Sequence, residues 1–175
     1  MPLICNYNAP LGGHPHLDML ALLAATGTSM EHIPSKGAGE TIPSLLRGEA
    51  QVSNSNVATV IGLIRAGQLK AYAVTSESRM PELPNVPTFS EVGLKGVGSI
   101  NWVGLFAPAK TPPAIINKLH AIIFDILSQA ELKDTYAKRL VPLAVSASPA
   151  EFNAFVAAET KRWVRIVKDN NVRLE

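Results

Sequence analysis

Three turns rich in Gly, Ser and Asn lie close together in the amino-terminal third of the chain, each after an apolar run and before a helical pattern. They are Asn8-Ala9-Pro10-Leu11-Gly12-Gly13-His14, Ser35-Lys36-Gly37-Ala38-Gly39 and Ser53-Asn54-Ser55-Asn56. In an α/β sheet such turns sit at the carboxyl ends of parallel strands, where the next helix aims unpaired N–H groups into a crevice. Those N–H groups and the positive end of the helix dipole favour a small anion such as a carboxylate. Gly37 and Gly39 permit positive φ and close backbone approach to a ligand, although an ordinary tight turn needs glycine equally. Asn54 and Ser55 are either side-chain donors or caps of the helix that follows.

The histidines read in more than one way. His14 and His16 flank Pro15 in a His-x-His pattern that occurs in metal sites, yet no set of carboxylates or cysteines accompanies them to complete a ligand sphere. Hydrogen bonding to the loop or a ligand, or for His16 capping of its own helix, accounts for them more simply. His32 falls within a short strand and reads as a core residue, and Lys36 is either a carboxylate partner or a solvated side chain. Trp102 reads as packing. No nucleophile–base pair, Gly-x-Ser-x-Gly elbow, dinucleotide-binding glycine motif or P-loop is present, so neither catalysis nor a cofactor is expected. Apart from Glu40, the carboxylates are expected on helix surfaces or in the proline-rich loop.

The elements that must position these turns follow from local pattern. Pro2–Tyr7, Met30–Ile33, Ala50–Ser53 and Leu69–Thr75 read as strands; His16–Thr26, Gly39–Leu46 and Val57–Ala66 read as helices, with Gly27 and Gly67 as stops and Pro43 in or near a first turn. The order β-α-β-α-β-α-β is that of a parallel, helix-flanked sheet. Pro81, Pro84 and Pro87 then mark a loop. Thr88-Phe89-Ser90-Glu91 and Ser148-Pro149-Ala150-Glu151 have the spacing of capping boxes. Ile100–Ala107 and Val141–Val145 read as strands, 111–126, 130–140 and a long carboxyl-terminal segment as helices. This second part has large apolar helix faces and little sheet to cover.

Composition narrows the class. The chain has 175 residues, 47% of them hydrophobic, and a net charge of +2 with no basic cluster, so a nucleic-acid partner is not expected. No apolar run reaches bilayer length, and the amino terminus reads as lacking a signal peptide. The single Cys5 forms no internal disulfide and reads as a buried strand residue.

Leu83-Pro84-Asn85-Val86-Pro87-Thr88-Phe89-Ser90-Glu91-Val92-Gly93, followed by Trp102-Val103-Gly104-Leu105-Phe106-Ala107-Pro108-Ala109-Lys110-Thr111-Pro112, resembles the Bug/TctC family, the extracytoplasmic solute receptors of tripartite tricarboxylate transporters. His32-Ile33-Pro34-Ser35-Lys36-Gly37-Ala38-Gly39 resembles that family's His-Val-Pro-Tyr-Lys-Gly-Ala element. The segments 64–76 and 148–152, with Trp163, resemble others, so the likeness runs along the whole chain in order. It implies an α/β fold of the type II periplasmic-binding-protein kind: one nearly complete lobe over residues 1–100, plus the returning carboxyl-terminal part of a second lobe over 101–175.

Family members are nearly twice this length, so the resemblance implies a receptor lacking the amino-terminal part of lobe one. It implies a small carboxylate ligand, membrane transporter subunits as partners and a periplasmic setting. Carried over, the ligand-binding positions are Gly12, Gly13, His14, His16, Ser35, Gly37, Ala38, Asn54 and Ser55. Here Gly13 and Pro15 stand at the two serine positions of the family's Gly-Ser-Pro-Ser-His-Leu loop, and Ser35 replaces its tyrosine. Two other functions follow from different premises: an effector module of a transcriptional regulator, which would bring an attached helix-turn-helix, and a hydrolase with zinc on His14 and His16. Apolar faces carrying Ile115, Leu119, Phe155 and Trp163, left uncovered, predict self-association. With one cleft wall absent, the isolated chain is expected to bind ligand weakly or not at all.

Overall fold

The computed structural model describes residues 3–6 and 12–172. The turn residues Asn8, Ala9, Pro10 and Leu11 fall outside these, as does the side chain of Cys5. Two strands, β1 (Leu3–Asn6) and β2 (Met30–Ile33), pair in parallel with Leu3 opposite Met30 and Asn6 opposite Ile33. The crossover between them is α1 (His14–Thr26). It ends as expected at Gly27, whose φ of +64° suits a residue without Cβ, while the Thr28 N–H donates back to the Leu23 carbonyl. Next come α2 (Ala38–Leu46) and α3 (Val57–Arg65). Pro43 lies well inside α2 rather than in its first turn, so that helix forgoes the bond that residue 43 would donate.

Four segments expected as strands are not laddered. Among the described residues, 50–53, 69–75, 100–107 and 141–145 carry no named strand; Val52 sits at an isolated bridge position, and Val74 forms a parallel bridge to Thr88. A helix closes its hydrogen bonds within its own segment, whereas a strand exists only through a partner. Apolar sequence at these places was therefore insufficient.

The helical expectations fared better: α4 (Pro113–Ser128), α5 (Ala130–Lys138) and α6 (Pro149–Asp169) all form. The first capping box closes reciprocally, and at the second Ser148 takes the Glu151 N–H while Glu151 reaches one residue further back. Thr88 and Glu91 exchange bonds of 2.7 Å and 3.2 Å around a single turn. At α6, Glu151 Oε2 accepts from the Ala147 N–H and Ser148 Oγ from the Glu151 N–H.

The chain divides into two compact units, residues 1–101 with 165–175, and residues 102–164. In the first, Met19 packs with Leu22, Met30 and Val52, and Leu17, Val60, Val74 and Leu83 are also buried. In the second, Trp102 meets Phe152 and Phe155 edge-on at 6.0 Å and 5.3 Å, and Phe106 lies against Phe152. Among the described residues of that unit no side chain is fully buried. No helix of the described residues is long and apolar enough to cross a membrane.

Candidate functional site

Parallel pairing places Asn6 and Ile33, the carboxyl ends of β1 and β2, at one edge of the sheet, so α1 and α2 both begin there. Their N-caps are Gly13 and Gly37, and that of α3 is Asn56; none of the three is bonded by its own cap side chain. Gly37 holds φ +139° and ψ −172°, a backbone region open essentially to glycine. Its carbonyl accepts from the Glu40 and Thr41 amides, which leaves Ala38 and Gly39 at the helix start without an acceptor earlier in the helix. Val57 and Ala58 stand in the same position in α3, since Thr59 N–H donates to the Asn56 carbonyl.

The side chains proposed from sequence go to several places. Ser35 is buried, its hydroxyl 2.8 Å from that of Thr41, which in turn bonds the Gly37 carbonyl; this pair fixes the turn before α2. His16 is buried and its Nδ1 accepts from the Gly12 N–H at 2.9 Å. Its ring stacks on that of His32 with centroids 4.0 Å apart. Burial lowers the pKa of His16, and burial together with the nearby His16 lowers that of His32 to about 4. Both rings are thus neutral at pH 7.

His14 turns toward a residue that sequence reading missed. Asp18, expected on a helix surface, is only 3% exposed. Its Oδ2 accepts from the Ser99 hydroxyl at 2.8 Å and from the Asn54 amide at 3.4 Å. His14 Nε2 lies 2.5 Å from Ser99 Oγ, and its Nδ1 3.8 Å from Asp18 Oδ2. Asp18 follows His14 by one helical turn, a signal the sequence did contain. Ser99 lies 85 residues from His14 in the chain, and nothing local could have shown its part.

This Ser–His–Asp grouping differs from a hydrolytic triad in where the proton goes. A serine hydroxyl has one proton, and Ser99 gives it to Asp18; His14 Nε2 must then be the donor to Ser99 Oγ. A triad needs the reverse: the serine proton on the imidazole and the carboxylate on its other nitrogen. The cluster anchors the start of α1 to Ser99 and Asn54. Among the described residues no group of three or more His, Cys, Asp or Glu gathers as a metal site would require, and His14 and His16 have separate partners.

Ser53, Asn54 and Ser55 share a cavity of about 300 Å³ with Asp18; Met19 and Val60 line its apolar side. The Ser53 and Ser55 hydroxyls are 3.0 Å apart. The arrangement offers backbone donors at helix starts and small polar side chains.

The sequence model of the tripartite tricarboxylate transporter family receptor, TctC, matches residues 5–172. The chain belongs to the TctC family. Protein BugT of Bordetella pertussis is 31% identical over 165 residues, which cover 94% of this chain and 50% of BugT. Among solved structures, Rpa4515 of R. palustris with adipate aligns with a TM-score of 0.79 at 26% identity, over 95% of this chain and 56% of that one. MatC of Rhodopseudomonas palustris with bound malate aligns with a TM-score of 0.74 at 28% identity, over 94% and 56%. The chain thus spans about half the length of these TctC relatives. Its fold is the α/β fold of type II periplasmic binding proteins, one nearly complete lobe with the carboxyl-terminal part of a second. The family is one of solute-binding receptors, not of enzymes.

Proposed function

We propose that this TctC chain contributes the carboxylate-holding lobe of an extracytoplasmic receptor that delivers a small carboxylate to membrane transporter subunits. The observation that carries the reading is the run of three helix starts, at Gly13, Gly37 and Asn56, none capped by its own side chain. Ser, Thr, Asp or Asn caps are the usual satisfaction of such N–H groups, and a ligand carboxylate can take that place. The adipate and malate in the relatives' structures supply the ligand class.

In this reading residues 1–100 form lobe two and 101–175 return to lobe one. The ligand lies against the backbone of Gly12, Gly13, Gly37 and Ala38 and beside Asn54 and Ser55. His14, His16 and Ser35 hold those turns in place from behind, since each is bonded within the protein. The setting is the periplasm. Tested by itself, the 175-residue chain is expected to bind weakly, because a receptor of this fold closes two lobes on its ligand and these residues align with about half of each relative.

The test is a titration of the ¹⁵N-labelled chain with malate and adipate, followed by amide shifts. Saturable shifts at residues 12–14, 37–39 and 54–58, in the millimolar range, are expected. Shifts scattered over the surface, or none at saturating acid, would refute the reading.

A further inference from the structure

Two histidines occupy core-facing positions where apolar side chains would serve for packing. Between α1 and β2 the facing pairs are His16 with His32, whose rings stack at 4.0 Å, and Met19 with Met30. His32 and Met30 are two residues apart on a strand, so both point to the α1 side of the sheet.

Each histidine belongs to one of two turns that hold the ligand in the carboxylate reading, on which this inference rests. His16 is buried, and its Nδ1 accepts the Gly12 N–H at 2.9 Å, which pins the turn before α1. His32 lies in β2, which runs directly into the turn 34–37 before α2. The stacked rings therefore join the two turns through one contact.

That contact requires neutral rings. An imidazolium donates from both nitrogens, so a protonated His16 has no acceptor left for Gly12. Two imidazoliums at 4.0 Å would also repel each other where water screens poorly. Burial holds both rings below the usual histidine range, and His16 adds to the effect on His32. His14 and Asp18 lie two residues to either side of His16, a spacing that a helix turns to other faces, and both engage Ser99. Glu31 on β2 and Glu40 on α2 are exposed, and Glu40 takes the Lys36 N–H. Cys5 stands opposite His32 on β1.

We propose that His16 and His32 are positioning residues, a clasp that holds the two ligand-facing turns while neutral and releases them in acid. The folded chain refuses at His32 a proton that the opened chain accepts between 6.5 and about 4. The clasp is thus whole above pH 6.5 and weakens progressively below it. Carboxylate affinity at the turns follows the same course.

The test is a titration of the full 175-residue chain with malate at about pH 7.5 and about pH 5, wild type beside His32→Phe. Phenylalanine keeps a ring in the stack and takes up no proton, and malate's own protonation is common to both proteins. Wild type is expected to lose about tenfold more affinity on acidification than His32→Phe. His16→Asn, whose amide oxygen replaces Nδ1 as acceptor, is expected to show the same reduced loss should His32→Phe fail to fold. In the ligand-free wild type, the Gly12 and Gly13 amide shifts are expected to titrate together with the two imidazoles. Equal losses in wild type and variant would overturn the inference and leave the carboxylate reading standing. So would tighter binding by wild type in acid, or Gly12 and Gly13 amides that stay put while the imidazoles titrate. Failure of malate to bind at either pH would overturn both.

Discussion

Neutral imidazoles at His16 and His32 make the acid limb of stability a residue-scale property. Between the ordinary value of 6.5 and about 4, the unfolded chain takes up a proton at His32 that the folded chain refuses. Stability therefore rises with pH across that window and is lost on acidification. The slope of Tm against pH over this range is expected to be shallower in His32→Gln; an equal slope would mean that the proton is taken up elsewhere. Thr41 makes a second case, since it is 0% exposed and its hydroxyl joins Ser35 to the Gly37 carbonyl. Thr41→Val keeps the shape and leaves Ser35 without that partner, a loss of about 1–3 kcal/mol measurable by denaturant unfolding; a neutral result would show that Ser35 finds another bond. Residue chemistry was the least legible level of the sequence. The types at His16 and Ser35 suit ligand contact, but His32 and Thr41 turn them inward, and such neighbours are set by tertiary packing. The His14–Asp18 spacing was legible, but the burial of Asp18 was not, because its partner Ser99 comes from a distant segment.

Elements were legible in proportion to how local their hydrogen bonds are. Helices α1 to α6 follow from apolar spacing, glycine stops and two capping boxes, all within a few residues of one another. Among the described residues the named strands are β1 and β2, which adjoin across a single helix. Segments such as 69–75 and 100–107 have strand composition and lie unladdered among the described residues, because their partners are not specified by their own sequence. The turn before α2 is the element on which the binding reading leans most. Gly37→Ala forces a side chain into φ +139°, at a cost of about 1–3 kcal/mol. It should also weaken carboxylate binding by moving the Ala38 and Gly39 amides. Loss of stability with unchanged binding would place the ligand elsewhere.

At the scale of the whole molecule, the segment from Trp102 to Phe106 explains the expected association. Trp102 and Phe106 pack on the α6 aromatics, while Val103 and Leu105, on the opposite face, are 92% and 75% exposed. A segment apolar on both faces is one meant for burial on both. Ile115, Leu119 and Phe155 are exposed as the sequence led one to expect, whereas Trp163 is half-buried, with its Nε1–H donated to Glu159. Light scattering is expected to give a mass that climbs above the 18.7 kDa monomer with concentration, and Val103→Lys with Leu105→Lys to lower it. A monomer at all concentrations would mean that these faces are tolerated in water.

The most direct measurement is the amide-shift titration of the ¹⁵N-labelled chain with malate. Helix starts that hold a carboxylate predict saturable shifts confined to residues 12–14, 37–39 and 54–58, with millimolar affinity. Saturation without movement of those amides, or no response at any concentration, would contradict a carboxylate site at the three uncapped helices.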